Sequence, residues 1–279
     1  MTHLLFAPEA TRRLLTAACV LGWAVVCSDE PKDRPQQDTQ EAAAAKFLQT
    51  VVDSIQVRLV DSKDAASLKL QHTPLMKYSD PARGYLGAGV WRLGDSGRPR
   101  GLVALEYRRH DTAGFVLGCE FVSFTPQKLE LTCENDPLVL RTDGSCVPFA
   151  TLSGAAAPAS SDRQRLAQMR NIARRFSGTE HYKGESYVLR LVPQPIDRYQ
   201  DAEAKILDGA AFILAYGTNP ELVLLIECDQ EQWRYAVMRL ASAEVVVELD
   251  SREVARFPAS KVSIVEGPYV TGGHVLKEP

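Results

Sequence analysis

An ungapped internal similarity is the feature that most constrains the fold of this chain. Residues 68–106 and 189–227 align at an offset of 121 residues, and nine of the 39 pairs are identical. Average amino-acid usage would give about two or three identities by chance. Recurrence at a fixed offset indicates two structural units of the same kind. The identical pairs are Leu68/Leu189, Leu70/Leu191, Pro74/Pro195, Tyr78/Tyr199, Asp80/Asp201, Leu86/Leu207, Leu93/Leu214, Pro99/Pro220 and Glu106/Glu227.

The similarity extends into a predicted helix ahead of each copy. Apolar residues at helical spacing predict one helix over about residues 40–60 and another over residues 161–177. Their apolar positions keep the same offset, so the repeated unit is expected to begin with a helix. The aligned positions are Leu48/Met169, Val51/Ile172, Val52/Ala173 and Ile55/Phe176.

Short apolar segments separated by turn-forming residues follow each predicted helix. Strands joined in succession by short turns form antiparallel sheets. The sequence therefore predicts an α+β fold, an internal duplication of a unit made of one helix packed on an antiparallel β-meander. The first unit is predicted over residues 41–150 and the second over 162–259, with a linker at 151–161 and a tail at 260–279.

The N-terminal segment has the pattern of an export signal. Two arginines precede an apolar run at residues 14–26, which is short for a membrane span. Residues 1–28 are predicted to be a signal peptide or N-terminal anchor, followed by a linker over 29–40. The sequence is compatible with cleavage after Ser28 and, alternatively, with lipidation of Cys27. We expect a periplasmic or cell-envelope protein that contacts the membrane only through this segment, if it is uncleaved or lipidated.

Composition and charge exclude several functions. The net charge of −3 gives no basic face, so we expect no nucleic-acid binding. The histidines lie far apart without a ligand pattern, and no cofactor motif occurs, so neither a metal nor a cofactor is predicted. The cysteines beyond the export signal allow three complete disulfide pairings, and buried thiols are the alternative. They are Cys119, Cys133, Cys146 and Cys228.

The segment GDSG at residues 94–97 matches the nucleophile segment of trypsin-like serine proteases. That chemistry needs a histidine base. Only His3 and His72 precede the segment, and the residues around His72 do not match the expected motif. The aligned residues 215–218 contain no serine. The segment is therefore predicted to be a hairpin turn, and no catalytic residue is assigned.

Six polar residues at matching positions in the two copies are the candidate ligand contacts. Each has a structural alternative. The tyrosines would bury their rings and bond the backbone, the neighbouring cations would be exposed, and the carboxylates would face solvent or pair with a cross-strand arginine. The six are Tyr78, Tyr199, Lys77, Arg198, Glu106 and Glu227.

Five segments carry a resemblance to a known group of proteins. They are PLMKYSDPARGYLGAGVW in the first unit and QRLAQMRNIARRFS, PIDRYQ, ILDGAAFILAYGTNPELVLLIE and EVVVELDSREVARFP in the second. In these segments the chain resembles exported proteins typical of planctomycete bacteria, a group without an assigned activity. The resemblance covers most of residues 60–260. It implies an α+β fold and a cell-envelope location, and it implies no activity, cofactor or catalytic residue.

The expected function is that of a non-catalytic exported module for binding or envelope structure. Its partner would be an envelope protein or a ligand, and a groove between the two units is the expected ligand site. The alternative is an envelope hydrolase with a carboxylate-based site between the units, built from Glu106, Glu120 or Glu227. A protein-partner adaptor would instead show an exposed apolar patch or an open sheet edge.

Overall fold

The computed structural model describes residues 34–61, 67–80, 84–110, 112–134, 136–260 and 267–276. The predicted export signal lies outside these residues. The first half of the chain comprises α1 (Arg34–Ser54), β1 (Ile55–Leu59), β2 (Ser67–Leu68), β3 (Met76–Asp80), β4 (Tyr85–Leu93), β5 (Gly101–His110), β6 (Gly114–Ser123), β7 (Leu129–Cys133) and β8 (Asp136–Arg141). The connecting strand is β9 (Ala150–Thr151).

The second half comprises one helix and eight strands, and a last strand follows it. The elements are α2 (Asp162–Ala173), β10 (Phe176–Tyr182), β11 (Glu185–Leu191), β12 (Asp197–Asp201), β13 (Ile206–Tyr216), β14 (Asn219–Cys228), β15 (Trp233–Arg239), β16 (Glu244–Leu249), β17 (Arg252–Phe257) and β18 (Tyr269–Val275).

The predicted α+β class is wrong, because the described part of the chain is mostly β, with only two helices. The predicted unit is also wrong, since the first half divides its eight strands between two sheets, and the second half places its eight strands in one sheet in an order that is not a meander. Both helices end earlier than predicted, at Ser54 and Ala173. Ile55 and Phe176, assigned above to the helical stripes, begin β1 and β10. Their apolar side chains fit an alternating strand as well as a helix, and pairing with other strands decides between them.

The predicted antiparallel pairing is confirmed for every described strand pair. Sheet I has the order β18-β6-β5-β4-β3. Sheet II has the order β17-β16-β10-β11-β13-β14-β15-β9, and β12 also pairs with β13. Sheet III has the order β2-β1-β7-β8.

Strand registers in the two halves match at the offset of 121 residues. The β3–β4 pair and the β12–β13 pair have a register shift at the same position, directly after Tyr78 and Tyr199 respectively. Directly paired residues project from the same face of an antiparallel sheet. Each tyrosine is therefore on the same face as the glutamate two strands away. The two cross-strand rows are Tyr78–Ala88–Glu106 and Tyr199–Gly209–Glu227.

Sheets I and II pack face to face around a shared apolar cluster. It combines Val90 and Leu102 of sheet I with Ile213 and Val223 of sheet II. A second cluster joins α1 to the other face of sheet I and to sheet III, and a third joins α2 to the other face of sheet II. The space between the halves, where a groove was expected, is therefore filled by packed side chains. β18, within the predicted tail, completes sheet I by pairing with β6.

The GDSG segment forms the turn between β4 and β5, as predicted. Gly97 has a φ of +68°, a left-handed conformation that favours glycine. A Cβ atom at this position would lie 2.5 Å from Asp201 Oδ2. Glycine is therefore required both for the turn and for its close approach to the second half.

No disulfide links the four cysteines of the described residues, of which three are buried and Cys146 is exposed. Burial raises the pKa of the Cys228 thiol to about 12. Neither helix in the described part of the chain is long and apolar enough to cross a membrane.

Candidate functional site

The structure brings four of the six candidate residues together as two tyrosine–glutamate pairs. Tyr78 Oη donates to Glu106 Oε1 over 3.2 Å, and Tyr199 Oη donates to Glu227 Oε1 over 2.9 Å. All four residues are buried. Burial, with the nearby carboxylate as the second cause, raises the pKa of both phenols well above its usual value. Both tyrosines are therefore neutral hydrogen-bond donors at physiological pH.

Glu227 is neutralised by two arginines. Arg98, in the turn between β4 and β5, donates from Nε and Nη2 to the two carboxylate oxygens over 2.7 and 2.6 Å. Arg234 Nε donates to Oε2 over 3.2 Å. A buried carboxylate is stable when it is paired and hydrogen-bonded in this way. This pair therefore holds the first half against the second.

Glu106 has an acidic neighbour, Glu120 of β6. Burial, followed by repulsion from Glu106, raises the pKa of Glu120 to about 8. The hydroxyl of Tyr269 donates to the Glu120 carboxylate. Two adjacent carboxyl groups in a poorly solvated place favour a state in which one of them keeps its proton. The first tyrosine–glutamate pair therefore differs electrostatically from the second.

The two candidate cations have different environments. Arg198 donates from Nε and Nη2 to Asp208 over 3.0 and 2.6 Å. Arg165 of α2 donates to the same carboxylate from Nε over 3.0 Å and also pairs with Asp162. Lys77, at the position of Arg198 in the first half, is exposed and makes no ion pair with a described residue.

Small residues replace the buried ion pair in the first half. At an offset of 121 residues, Ala44 corresponds to Arg165 and Gly87 corresponds to Asp208. A Cβ atom at Gly87 would lie 2.9 Å from the Ala44 Cβ, so α1 approaches β4 closely at this point. In the first half a close contact between helix and strand therefore takes the place of the charged side chains.

A pocket of about 310 Å³ lies beside this contact, between α1, β3 and β4. Its volume is at the lower end of the range for small-molecule sites. Its lining is mainly apolar, with a few polar groups at the edge. The lining residues are Glu41, Ala45, Leu48, Gln49, Pro74, Lys77, Tyr78, Ser79, Leu86, Gly87, Ala88 and Trp91.

The indole of Trp91 is the most unusual group of this lining. Trp91 is only 3% exposed, and its Nε1 has no hydrogen-bond partner among the described residues. A buried donor without a partner costs about 1–3 kcal/mol. Phe212 occupies the corresponding position of the second half and has no donor to satisfy. The unsatisfied donor therefore occurs in the half that has the pocket.

Of the six candidates, Lys77 and Tyr78 line the pocket. The Tyr78 side chain, like Tyr199, Glu106 and Glu227, lies on the face between the sheets, and Arg198 belongs to the Asp208 ion pair. Sequence reasoning missed Trp91 as a site residue. The aligned units do signal a difference beside the pocket, the exchange of Arg165 for Ala44 and of Asp208 for Gly87.

Among the described residues, no three His, Cys, Asp or Glu side chains are grouped in a way that could hold a metal ion. No protein-family model, curated protein or solved structure matches the chain.

Proposed function

We propose that the protein is an exported, non-catalytic binding module of the bacterial cell envelope, and that its ligand is a small molecule in the pocket between α1, β3 and β4. The observation that carries the proposal is the pocket of about 310 Å³ itself, which lies under α1 and has Trp91 in its lining.

Two further features support a small-molecule site. The pocket combines an apolar wall, including Leu48 and Leu86, with a few polar groups, which is the usual composition of such sites. In the second half, the place under α2 that corresponds to the pocket is closed by the charged network around Asp208. One site per chain is therefore the expected stoichiometry.

Filling the pocket should abolish ligand retention. Ala45 is an exposed residue of α1 that lines the pocket, so Ala45→Phe is expected to occupy the mouth without disturbing the core. Purified protein would be incubated with a small-molecule extract of cell envelopes, and the retained molecules would be identified by native mass spectrometry. We expect one ligand per wild-type chain and none on the variant.

Ala43→Phe is the matched control, because Ala43 is exposed on the same helix and does not line the pocket. It should retain the ligand as the wild type does. Equal retention by Ala45→Phe and Ala43→Phe, or no retention by the wild type, would contradict the proposed site.

The exported location rests on the sequence pattern of residues 1–28. Expressed with its own N-terminus in a Gram-negative host, the protein should appear in the periplasmic or envelope fraction. The intact mass should correspond to a chain that starts at Asp29, or at a lipidated Cys27. A full-length protein in the cytoplasm would contradict export. It would not bear on the pocket, which the ligand-retention experiment tests.

One observation favours the hydrolase alternative. Glu120, with its raised pKa, lies beside Glu106, and catalytic acids often have a pKa raised in this way. Neither residue lines the pocket. Hydrolysis of an ester or glycoside that is lost in Glu106→Gln and Glu120→Gln, and kept in Ala45→Phe, would replace the proposed binding function with this one.

A further inference from the structure

We propose that the solvent-facing side of α2 binds a linear polyanion that carries phosphate groups. The arginine row that would bind it consists of Arg163 and Arg170 of α2 and of Arg174 at its C-cap. This inference is independent of the pocket, because α2 packs on sheet II whereas the pocket lies under α1.

Positive charge is concentrated in this segment. Residues 162–175 contain five arginines and one aspartate, which gives +4 in a chain whose net charge is −3. Arg165 pairs with Asp208 and with the aspartate of the segment, and Arg175 pairs with Asp250. The three arginines of the row make no ion pair with a described residue. Their charge is therefore available to a partner.

The arginine row runs straight along the helix. Positions i, i+7 and i+11 fall within about 40° of one another around a helix axis and span about 16 Å along it. Arg163 and Arg174 are exposed, Arg170 is half-buried, and exposed Ala167 lies beside the row. The apolar residues of α2 face sheet II instead. The row is therefore a narrow basic strip on the surface.

Neutral side chains orient two of the guanidinium groups without cancelling their charge. Arg170 Nη2 donates to Gln194 Oε1, and Arg174 Nη1 donates to Asn171 Oδ1 over 2.7 Å. A guanidinium has five N–H donors, and each of these contacts uses one of them. Both groups therefore keep their positive charge and further donors for an external anion.

The first half has no such row. At the offset of 121 residues the three arginines correspond to Ala42, Gln49 and Asp53 of α1. The two helices share their apolar positions, so packing on a sheet does not require arginine at these places. The row is therefore a property of the second half alone, which indicates a role other than packing.

A linear phosphate polymer matches the row better than a peptide, a nucleic acid or a membrane. A guanidinium binds phosphate through two parallel hydrogen bonds. Ala167 is the only apolar residue along the described row. The row therefore lacks the apolar centre of a protein–protein interface, aromatic rings on which bases stack, and apolar side chains that enter a bilayer. Its width of one side chain fits a polymer chain.

Long-chain inorganic polyphosphate is the probe. Its binding to the full-length protein would be measured by isothermal titration calorimetry at several salt concentrations, beside pyrophosphate and polyglutamate. Sedimentation with phosphatidylglycerol vesicles would test the membrane. We expect polyphosphate to bind best, because a chain that spans the row contacts all three arginines at once. Three contacts predict a slope of the logarithm of affinity against the logarithm of salt concentration of about −2.

Arg163→Gln combined with Arg174→Gln should weaken polyphosphate binding about tenfold at low salt and reduce the slope to about −0.7. Arg109→Gln combined with Arg252→Gln is the matched control. It removes the same charge at two exposed arginines outside α2, and it should change neither quantity.

The outcomes separate this inference from its alternatives and from the pocket. An equal response of the two double variants, or no binding of polyphosphate by the wild type, would overturn it. Polyglutamate or vesicles that bind as tightly as polyphosphate would overturn it in favour of an acidic protein or a membrane surface. None of these results bears on the pocket, which retention of a ligand by the wild type and by Ala45→Phe tests.

Discussion

Replacing Asp208 by asparagine should lower the free energy of unfolding by about 3 kcal/mol, as expected when a buried ion pair loses one partner. The substitution keeps the shape of the side chain and removes its charge. Arg165 is only 2% exposed, so its guanidinium would remain buried after losing Asp208, with the mostly exposed Asp162 as its remaining carboxylate partner. Urea unfolding followed by far-ultraviolet circular dichroism measures the difference.

Two further variants test this explanation. Arg165→Met combined with Asp208→Asn should recover part of the lost stability, because the double variant no longer buries a guanidinium that lacks its buried partner. Glu253→Gln, in an exposed ion pair with Arg256, should leave the unfolding midpoint unchanged. A loss below about 1 kcal/mol in Asp208→Asn would mean that water or neighbouring groups solvate Arg165, and the ion pair would then not organise the second half.

The stability of the wild-type protein should fall as the pH rises from about 5 to about 8. The pKa of Glu120 is raised in the folded state to about 8, so the folded chain holds a proton that the unfolded chain has released. That contribution is complete below the unfolded pKa and disappears as the pH passes the folded one. The slope is at most about 1.4 kcal/mol for each pH unit.

Glu120→Gln should flatten this dependence and make the protein more stable than the wild type at pH 9. Glutamine cannot ionise and still accepts the hydrogen bond from Tyr269. The other charged groups that act on Glu120 are Glu106, Arg108 and Arg239. Thermal unfolding between pH 5 and pH 9 is the measurement, with Glu253→Gln as the exposed control. A steep fall that persists in Glu120→Gln would assign the effect to another group.

Local pattern was sufficient to predict the long strands and their antiparallel order. β5 and β14 are strongly apolar runs between turn-forming residues, and such runs have few alternatives. The ends of the helices were not predictable, because Ile55 and Phe176 continue a helical stripe and also begin an alternating strand. Pairing with strands far away in the sequence decides their conformation, and no local window contains that information.

The candidate site was predictable in part. Tyr78, Tyr199, Glu106 and Glu227 were selected because they recur at matching positions, but the hydrogen bond from each tyrosine to the glutamate 28 residues later was not predicted. Identity between the copies drew attention to shared structure. The pocket lies instead beside a difference between the copies, Asp208 in one and Gly87 in the other, which a search for identical positions does not detect.

The pairing of β18 with β6 has a consequence for the order of assembly. Tyr269 bonds Glu120 across 149 positions of the chain, and β18 forms the edge of sheet I beside β6. Sheet I therefore cannot close that edge until residues 269–275 have been synthesised and are able to return to it. Contacts of such long range slow folding. The late strand therefore delays completion of sheet I until the whole second half has been synthesised.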